Sequence, residues 1–180
     1  MKNLLEWVKD ILLAVVIAAV ILVFFKPIIV QQQSMEPNFH AGDYLITSRQ
    51  AYRLFGDPQR GDVIVFKSEL LDENEKPKNL IKRIIALPGE TIEIKDGEVY
   101  IDGQKLQEDY LPGTAISGEM DALTVPEGQL FVMGDNREYS EDSRSPRVGT
   151  IEQSTIVGKV IIRLYPFNSI KTFKGVDYEA

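Results

Sequence analysis

Residues 11–25 (ILLAVVIAAVILVFF) contain no polar side chain, and this run limits what the chain can become more than any other feature. Fifteen residues that are apolar on every side leave a helix no polar face to turn toward water, so the core helix of a soluble domain is a poor fit. A bilayer span needs about 20 residues. Trp7 and Val8 extend the run upstream, and Pro27-Ile28-Ile29-Val30 extend it downstream. Lys9 and Lys26 stand where their heads can snorkel to the two interfaces, and Trp7 suits a headgroup belt. A cleavable leader would show a small-x-small site after its apolar core; the chain reads KPIIVQQQ there. The expectation is an uncleaved transmembrane signal anchor over 11–30, with a cytoplasmic N-terminus at 1–10 and an extracytoplasmic domain at 31–180. The orientation rests on Lys2 and Lys9 before the run against Lys26 after it, a positive-inside bias. The chain would cross the cell membrane once and have the lipid bilayer as a standing partner.

Charge and composition then remove whole classes of function. The formal net charge is −7, and the first 30 residues are slightly basic, so the excess acid lies in the domain. An acidic domain without a basic run is a poor nucleic-acid partner, because phosphate binding is driven by Lys and Arg. The chain has no cysteine, which excludes thiol catalysis, cysteine-zinc sites and disulfides. Its one histidine, His40, excludes two-histidine zinc motifs and leaves a Ser-His-Asp triad a single candidate base. The oligomeric state is not legible.

After the anchor the pattern is β. Asp43–Arg49, Asp62–Lys67 and Leu80–Leu87 are short β-branched runs bounded by Gly, Pro or Asn. Glu90–Lys95 and Glu98–Ile101 flank Asp96-Gly97, a two-residue hairpin signal, and Asp102-Gly103 marks another turn. Gln129–Met133 and Ile156–Leu164 read as further strands. The charged stretch 68–79 and the stretch 110–126 read as surface loops. No segment after residue 30 has a helical period. The fold class is mainly β, an antiparallel, partly closed sheet behind one N-terminal transmembrane helix.

Within that frame a few residues can carry chemistry. Period-two alternation puts Lys82 on one face with Leu80, Ile84 and Ala86, an apolar setting that disfavours its charged form. A lysine neutral near pH 7 is a general base; the competing reading is an edge-strand lysine whose head reaches water. Ser34 lies nine residues past Phe25, within roughly 30 Å of the span even if fully extended, so whatever it does happens at the bilayer surface. Most loop serines are turn or cap residues, and Ser34 alone is no exception. His40 is six residues from Ser34, in a turn sequence where a surface residue is the default. The segment Gly134–Arg144 (GDNREYSEDSR) follows a strand directly: Asp142 and Arg144 can pair, and Ser140 offers a hydroxyl. A calcium loop is the rival reading of its acidic residues, but the EF-hand spacing is missing.

Four motifs occur in order behind the anchor: Ser34-Met35-x-Pro37, Gly61-Asp62-Val63-Ile64-Val65, Lys82-Arg83 leading to Pro88-Gly89-Glu90, and Gly134-Asp135-Asn136 leading to Ser140-x-Asp142-Ser143-Arg144. Together they resemble the bacterial type I signal peptidases, over nearly the whole chain. The resemblance implies a Ser-Lys dyad, with Ser34 as nucleophile and Lys82, neutral in the ground state, as general base. It implies that Ser140 holds the lysine ammonium, that Asp142 and Arg144 form a supporting ion pair, and that Arg83 and Met35 shape the walls. Substrates would be preproteins with small residues one and three positions before the cut, and no metal or other cofactor would be needed. The chain departs from the family pattern at Asn38, where Thr is common. It departs again at Gln32, where many relatives carry a serine whose hydroxyl helps bind the oxyanion. A glutamine amide can donate there in principle, which leaves the Ser34 backbone N–H as the dependable oxyanion donor. Two rivals are a self-cleaving Ser-Lys protease of the SOS-repressor kind, which the anchor argues against, and a non-catalytic tethered β module, which the retained dyad argues against.

Overall fold

The computed structural model describes residues 3–54, 56–111, 113 and 116–173. Helix α1 spans Leu4–Phe24, with no buried residue. Its first turn is closed by Glu6, whose carboxylate accepts the Asn3 backbone N–H at 3.2 Å. At ~1.5 Å per residue α1 matches a hydrocarbon core of about 30 Å, and it is the one helix among the described residues long and apolar enough to span it. The apolar segment thus reaches upstream past Trp7 as expected, but the helix does not continue to residue 30. Proline at 27 drives the residue before it toward extended backbone. The chain accordingly leaves the helix at Phe25 and enters strand β1, Phe25–Ile29, which pairs antiparallel with β2, Tyr44–Ser48.

The rest is two antiparallel sheets. A one-turn helix α2 (Ala51–Leu54) precedes β3 (Val63–Leu71) and β4 (Pro77–Ala86), and β5 (Thr91–Lys95), β6 (Glu98–Ile101) and β7 (Gln104–Lys105) form a meander. Then come β8 (Met120–Thr124), β9 (Gln129–Met133), β10 (Ile151–Glu152), β11 (Ile156–Tyr165) and β12 (Lys171–Thr172). The large sheet runs β1-β2-β11-β3-β4-β9-β10, with β12 on β11, and the small one runs β7-β6-β5-β8. Both are open among the described residues, so the sheet is not partly closed as the sequence suggested. The mainly β antiparallel expectation is met. Asp96-Gly97 and Asp102-Gly103 make the expected tight turns, with positive φ at all four residues.

Two expected loops are partly strand. β3 continues to Leu71 and β4 begins at Pro77, so most of 68–79 is a hairpin, with Glu69, Leu71, Pro77 and Asn79 exposed while Ser68 is buried and Leu70 and Lys78 are half-buried. Because Ser68 and Lys78 occupy inner positions, the alternation has no apolar signature in the sequence. Likewise β8 lies inside 110–126, an edge strand with four exposed residues that pairs with β5.

The core follows from alternation in the central strands. Val63 and Val65 of β3 join Val30, Met35, Phe39, Leu45 and Val160 on one face of the large sheet. Ile64 and Phe66 join Leu80, Ile84, Leu130 and Val132 on the other. A third cluster, with Ile92, Ile94, Phe131 and Met133, joins the small sheet to β4 and β9.

Candidate active site

β4 is central, paired to β3 on one side and, from Arg83 onward, to β9 on the other. Lys82 stands in register with Ile64 of β3 and is 1% exposed. Its Nζ stands 2.7 Å from Ser34 Oγ, a hydrogen-bond distance between two side chains 48 residues apart. Burial pushes the Lys82 pKa down to about 8, although the carboxylates of Asp142 and Asp135 pull it back up. A neutral amine accepts the Ser34 hydroxyl proton, and a lysine poised near working pH can pass it on. A base this close to a hydroxyl can activate it as a nucleophile.

Ser34 is held from two directions. On its C-terminal side the chain makes one helical turn, with the Phe39 N–H donating to the Met35 carbonyl at 2.9 Å. That turn sends Met35 and Phe39 together into the core. Above Ser34, the Asn136 N–H donates to the Ser34 carbonyl at 3.0 Å, and the Asn136 side chain donates to the Gln33 carbonyl at 3.2 Å. Gly134 makes the close approach possible: a Cβ there would overlap the Ser34 carbonyl oxygen and the Ser140 side chain.

The loop after β9 is locked by buried ion pairs. Arg144 donates to both oxygens of Asp142, each at 2.8 Å, and the Gly134 N–H donates to Asp142 Oδ2 at 2.9 Å. Burial alone would raise the Asp142 pKa, but Arg144 and these hydrogen bonds outweigh it and hold the carboxyl below its ordinary value. Arg83 projects from the other face of β4 and donates to both oxygens of Asp135, at 2.8 and 2.6 Å, and to the Gly61 carbonyl at 2.9 Å. It thus anchors the turn at 134–136 instead of forming a wall beside Ser34. Asp135 and Asp142, which a calcium loop would use, are both committed to guanidinium groups.

Two placements differ from the sequence reading. Ser140 Oγ is buried and close enough to Asp142 to favour its charge, but it forms no well-directed hydrogen bond, to Asp142 or to Lys82. Its side chain is packed against Gly134, so it does not hold the lysine amine in this conformation. His40 is exposed and lines a separate cleft with Tyr165 and Asn168; the partner of Ser34 is Lys82. Sequence reasoning missed Arg137, which is buried, donates to both carboxylate oxygens of Glu108 at 2.7 and 2.5 Å, and braces the Gly134 carbonyl at 3.2 Å. Arg137 sat in the motif without an assigned partner, and no pattern flags Glu108, which lies 29 residues away.

Two open clefts meet at Ser34. One, of about 730 Å³, lies between Ile28–Gln32 and Leu80–Ile81, with Met35 and Val65 on its floor. The other, of about 460 Å³, contains Lys82 and is walled by Leu70, Leu71, Tyr139 and Glu141. Gln32 is exposed and lines both.

The model of the family described as "Signal peptidase, peptidase S26" matches residues 4–165. The chain is 38% identical to a signal peptidase I of Bacillus licheniformis, over 94% of this chain and 93% of that one. It is 40% identical to a probable signal peptidase I-1 of Synechocystis, over 89% and 84%. A crystal structure of a signal peptidase I from Enterococcus faecalis is 37% identical and aligns with a TM-score of 0.48 over 57% of this chain and 96% of that one. The chain therefore belongs to the signal peptidase family, peptidase S26, and is a hydrolase of peptide bonds.

Proposed function

We propose that this chain is a membrane-anchored serine endopeptidase that removes N-terminal signal peptides from exported preproteins, with Ser34 as nucleophile and Lys82 as general base. The single observation that carries the reading is the buried Lys82 amine 2.7 Å from the Ser34 hydroxyl. As Ser34 Oγ attacks the scissile carbonyl, its proton passes to Lys82 Nζ. The oxyanion forms beside the Ser34 backbone N–H, with the Gln32 amide as a second donor within the same segment. Lys82 then returns the proton to the leaving amine, and the mature chain departs. Water, deprotonated by Lys82, attacks the acyl ester; as the bond to Ser34 Oγ breaks, Lys82 returns that proton to Oγ and the signal peptide is freed. The mechanism calls on no metal or nucleotide. Asp142, Arg144 and Arg83 keep the loop over Ser34 in place, and Ser140 fills the space against Gly134.

The larger cleft suits an extended signal-peptide segment. β1 is the edge of its sheet, and β4 pairs with β9 only from Arg83 onward. Main-chain groups on both sides of the cleft are thus open to an added strand, and Met35 beneath it leaves shallow room for small side chains. The helix α1 serves as the anchor, with its N-terminus in the cytoplasm and the domain on the outer face, so cleavage takes place at the bilayer surface.

The test is to incubate wild type, Ser34→Ala and Lys82→Ala, each in lipid, with a radiolabelled preprotein. Wild type should release the mature chain and both variants should be at least about 1000-fold slower. Processing by either variant at the wild-type rate would sink the dyad, and a wild type that cuts no preprotein would sink the substrate assignment.

A further inference from the structure

We infer that the cleft containing Lys82 receives the first residues of the mature chain, and that Lys78 and Arg147 on its rim favour an acidic side chain there. This rests on reading Ser34 and Lys82 as nucleophile and base. Of the two clefts that meet at Ser34, only the smaller one contains Lys82. The proton taken from Ser34 must be delivered to the leaving amine, so that amine and the residues after it lie on the Lys82 side. The other cleft is lined by Ile28–Val30, which begin four residues after the end of α1. It therefore opens toward the bilayer that holds the apolar part of the signal peptide. The two directions of the substrate chain are thereby assigned by two independent features, a proton's destination and a membrane's position.

The charges on the leaving side are uneven. Glu141 is already engaged: its Oε1 accepts the Ser145 hydroxyl at 2.7 Å and its Oε2 accepts from Arg147 at 3.3 Å. The Arg147 side chain is 70% exposed, and that single long contact leaves its other N–H donors open to a ligand. Lys78, half-buried on β4, lies on the margin shared by the two clefts and has no ionic partner among the described residues. A carboxylate entering between them meets two basic groups, one of them paired to Glu141, so the three side chains leave one net positive charge there. This positive rim belongs to a chain of net charge −7, so it is a local feature and not background.

The test uses the full chain in uncharged phosphatidylcholine vesicles with internally quenched peptides. All share one signal-side sequence and carry Glu, Gln or Lys at each of the first three positions after the cut. Assays run at pH 9, where Lys82 is mostly neutral. At low salt kcat/KM should be about fivefold higher for Glu than for Lys at one or more positions, the size expected for exposed ion pairs. High salt should erase the difference, and the double variant Lys78→Glu, Arg147→Glu should invert it. Equal kcat/KM for Glu, Gln and Lys at all three positions would overturn the inference alone, as would a preference unaffected by salt and by the double variant. Failure of wild type to cut any peptide or preprotein would overturn the dyad reading and this inference with it.

Discussion

Replacing Lys82 with Met should abolish cleavage and, near neutral pH, make the folded protein more stable. Burial holds the Lys82 pKa at about 8 against an ordinary 10.5. At ~1.4 kcal/mol for each pH unit between the two values, a charge at this position costs the fold roughly 3 kcal/mol. Because the folded pKa lies below the unfolded one, the unfolded chain binds more protons between pH 8 and 10.5. Wild-type stability must therefore rise with pH across that window, and the full penalty is present below it. Methionine fills a similar volume without the charge, but it leaves the Ser34 hydroxyl without its partner, which costs ~1 kcal/mol. The net gain at pH 7 should be about 2 kcal/mol, enough to raise Tm by several degrees. By pH 10 the gain should be gone, since wild type has by then lost its buried charge. Urea unfolding of both full-length proteins in detergent micelles at pH 7 and pH 10 reads this directly. A Lys82→Met protein less stable than wild type at pH 7, by an amount that does not change with pH, would refute the reasoning.

Two further outcomes follow from the loop over Ser34. Asp142 is the largest of the carboxylate influences that raise the Lys82 pKa, so Asp142→Asn should move the acid limb of the pH–rate profile to lower pH, while costing about 3 kcal/mol by leaving the partly buried Arg144 without its ion pair. Gly134→Ala should lower kcat/KM about 100-fold, because the new Cβ pushes against the Ser34 carbonyl and a displacement near 1 Å misaligns the nucleophile; steady-state kinetics with near-UV circular dichroism distinguishes this from unfolding.

Elements whose pattern is internal to a short run were legible in the sequence. The all-apolar run gave α1, β9 and the two Asp-Gly hairpins fall where the residues put them, and the alternation around Lys82 correctly places it among apolar neighbours. What was hidden depends on contacts the chain makes with itself at a distance. The end of α1 was set by Pro27 and by pairing of Phe25–Ile29 with β2, which residues on an apolar ramp do not announce. The outer half of the β3–β4 hairpin puts polar Ser68 and Lys78 at its inner positions and so reads as loop. The Arg83–Asp135 and Arg137–Glu108 pairs join residues 52 and 29 positions apart, and only packing selects those partners from an acid-rich chain. The motif order brought Ser34 and Lys82 together on paper. The 2.7 Å contact and the burial around it supply the physical reason that a lysine there can act as a base.

The most direct test of that claim is the pH dependence of kcat/KM for a signal-peptide substrate, measured on the full chain in lipid from pH 5.5 to 10. This parameter reports the ionisation of the free enzyme. With Lys82 at about 8, the rate should climb about tenfold per pH unit below that value and level off above it, and His40→Gln should leave the profile in place. A profile that is flat through this range, or whose acid limb vanishes with His40→Gln, would contradict a lysine base.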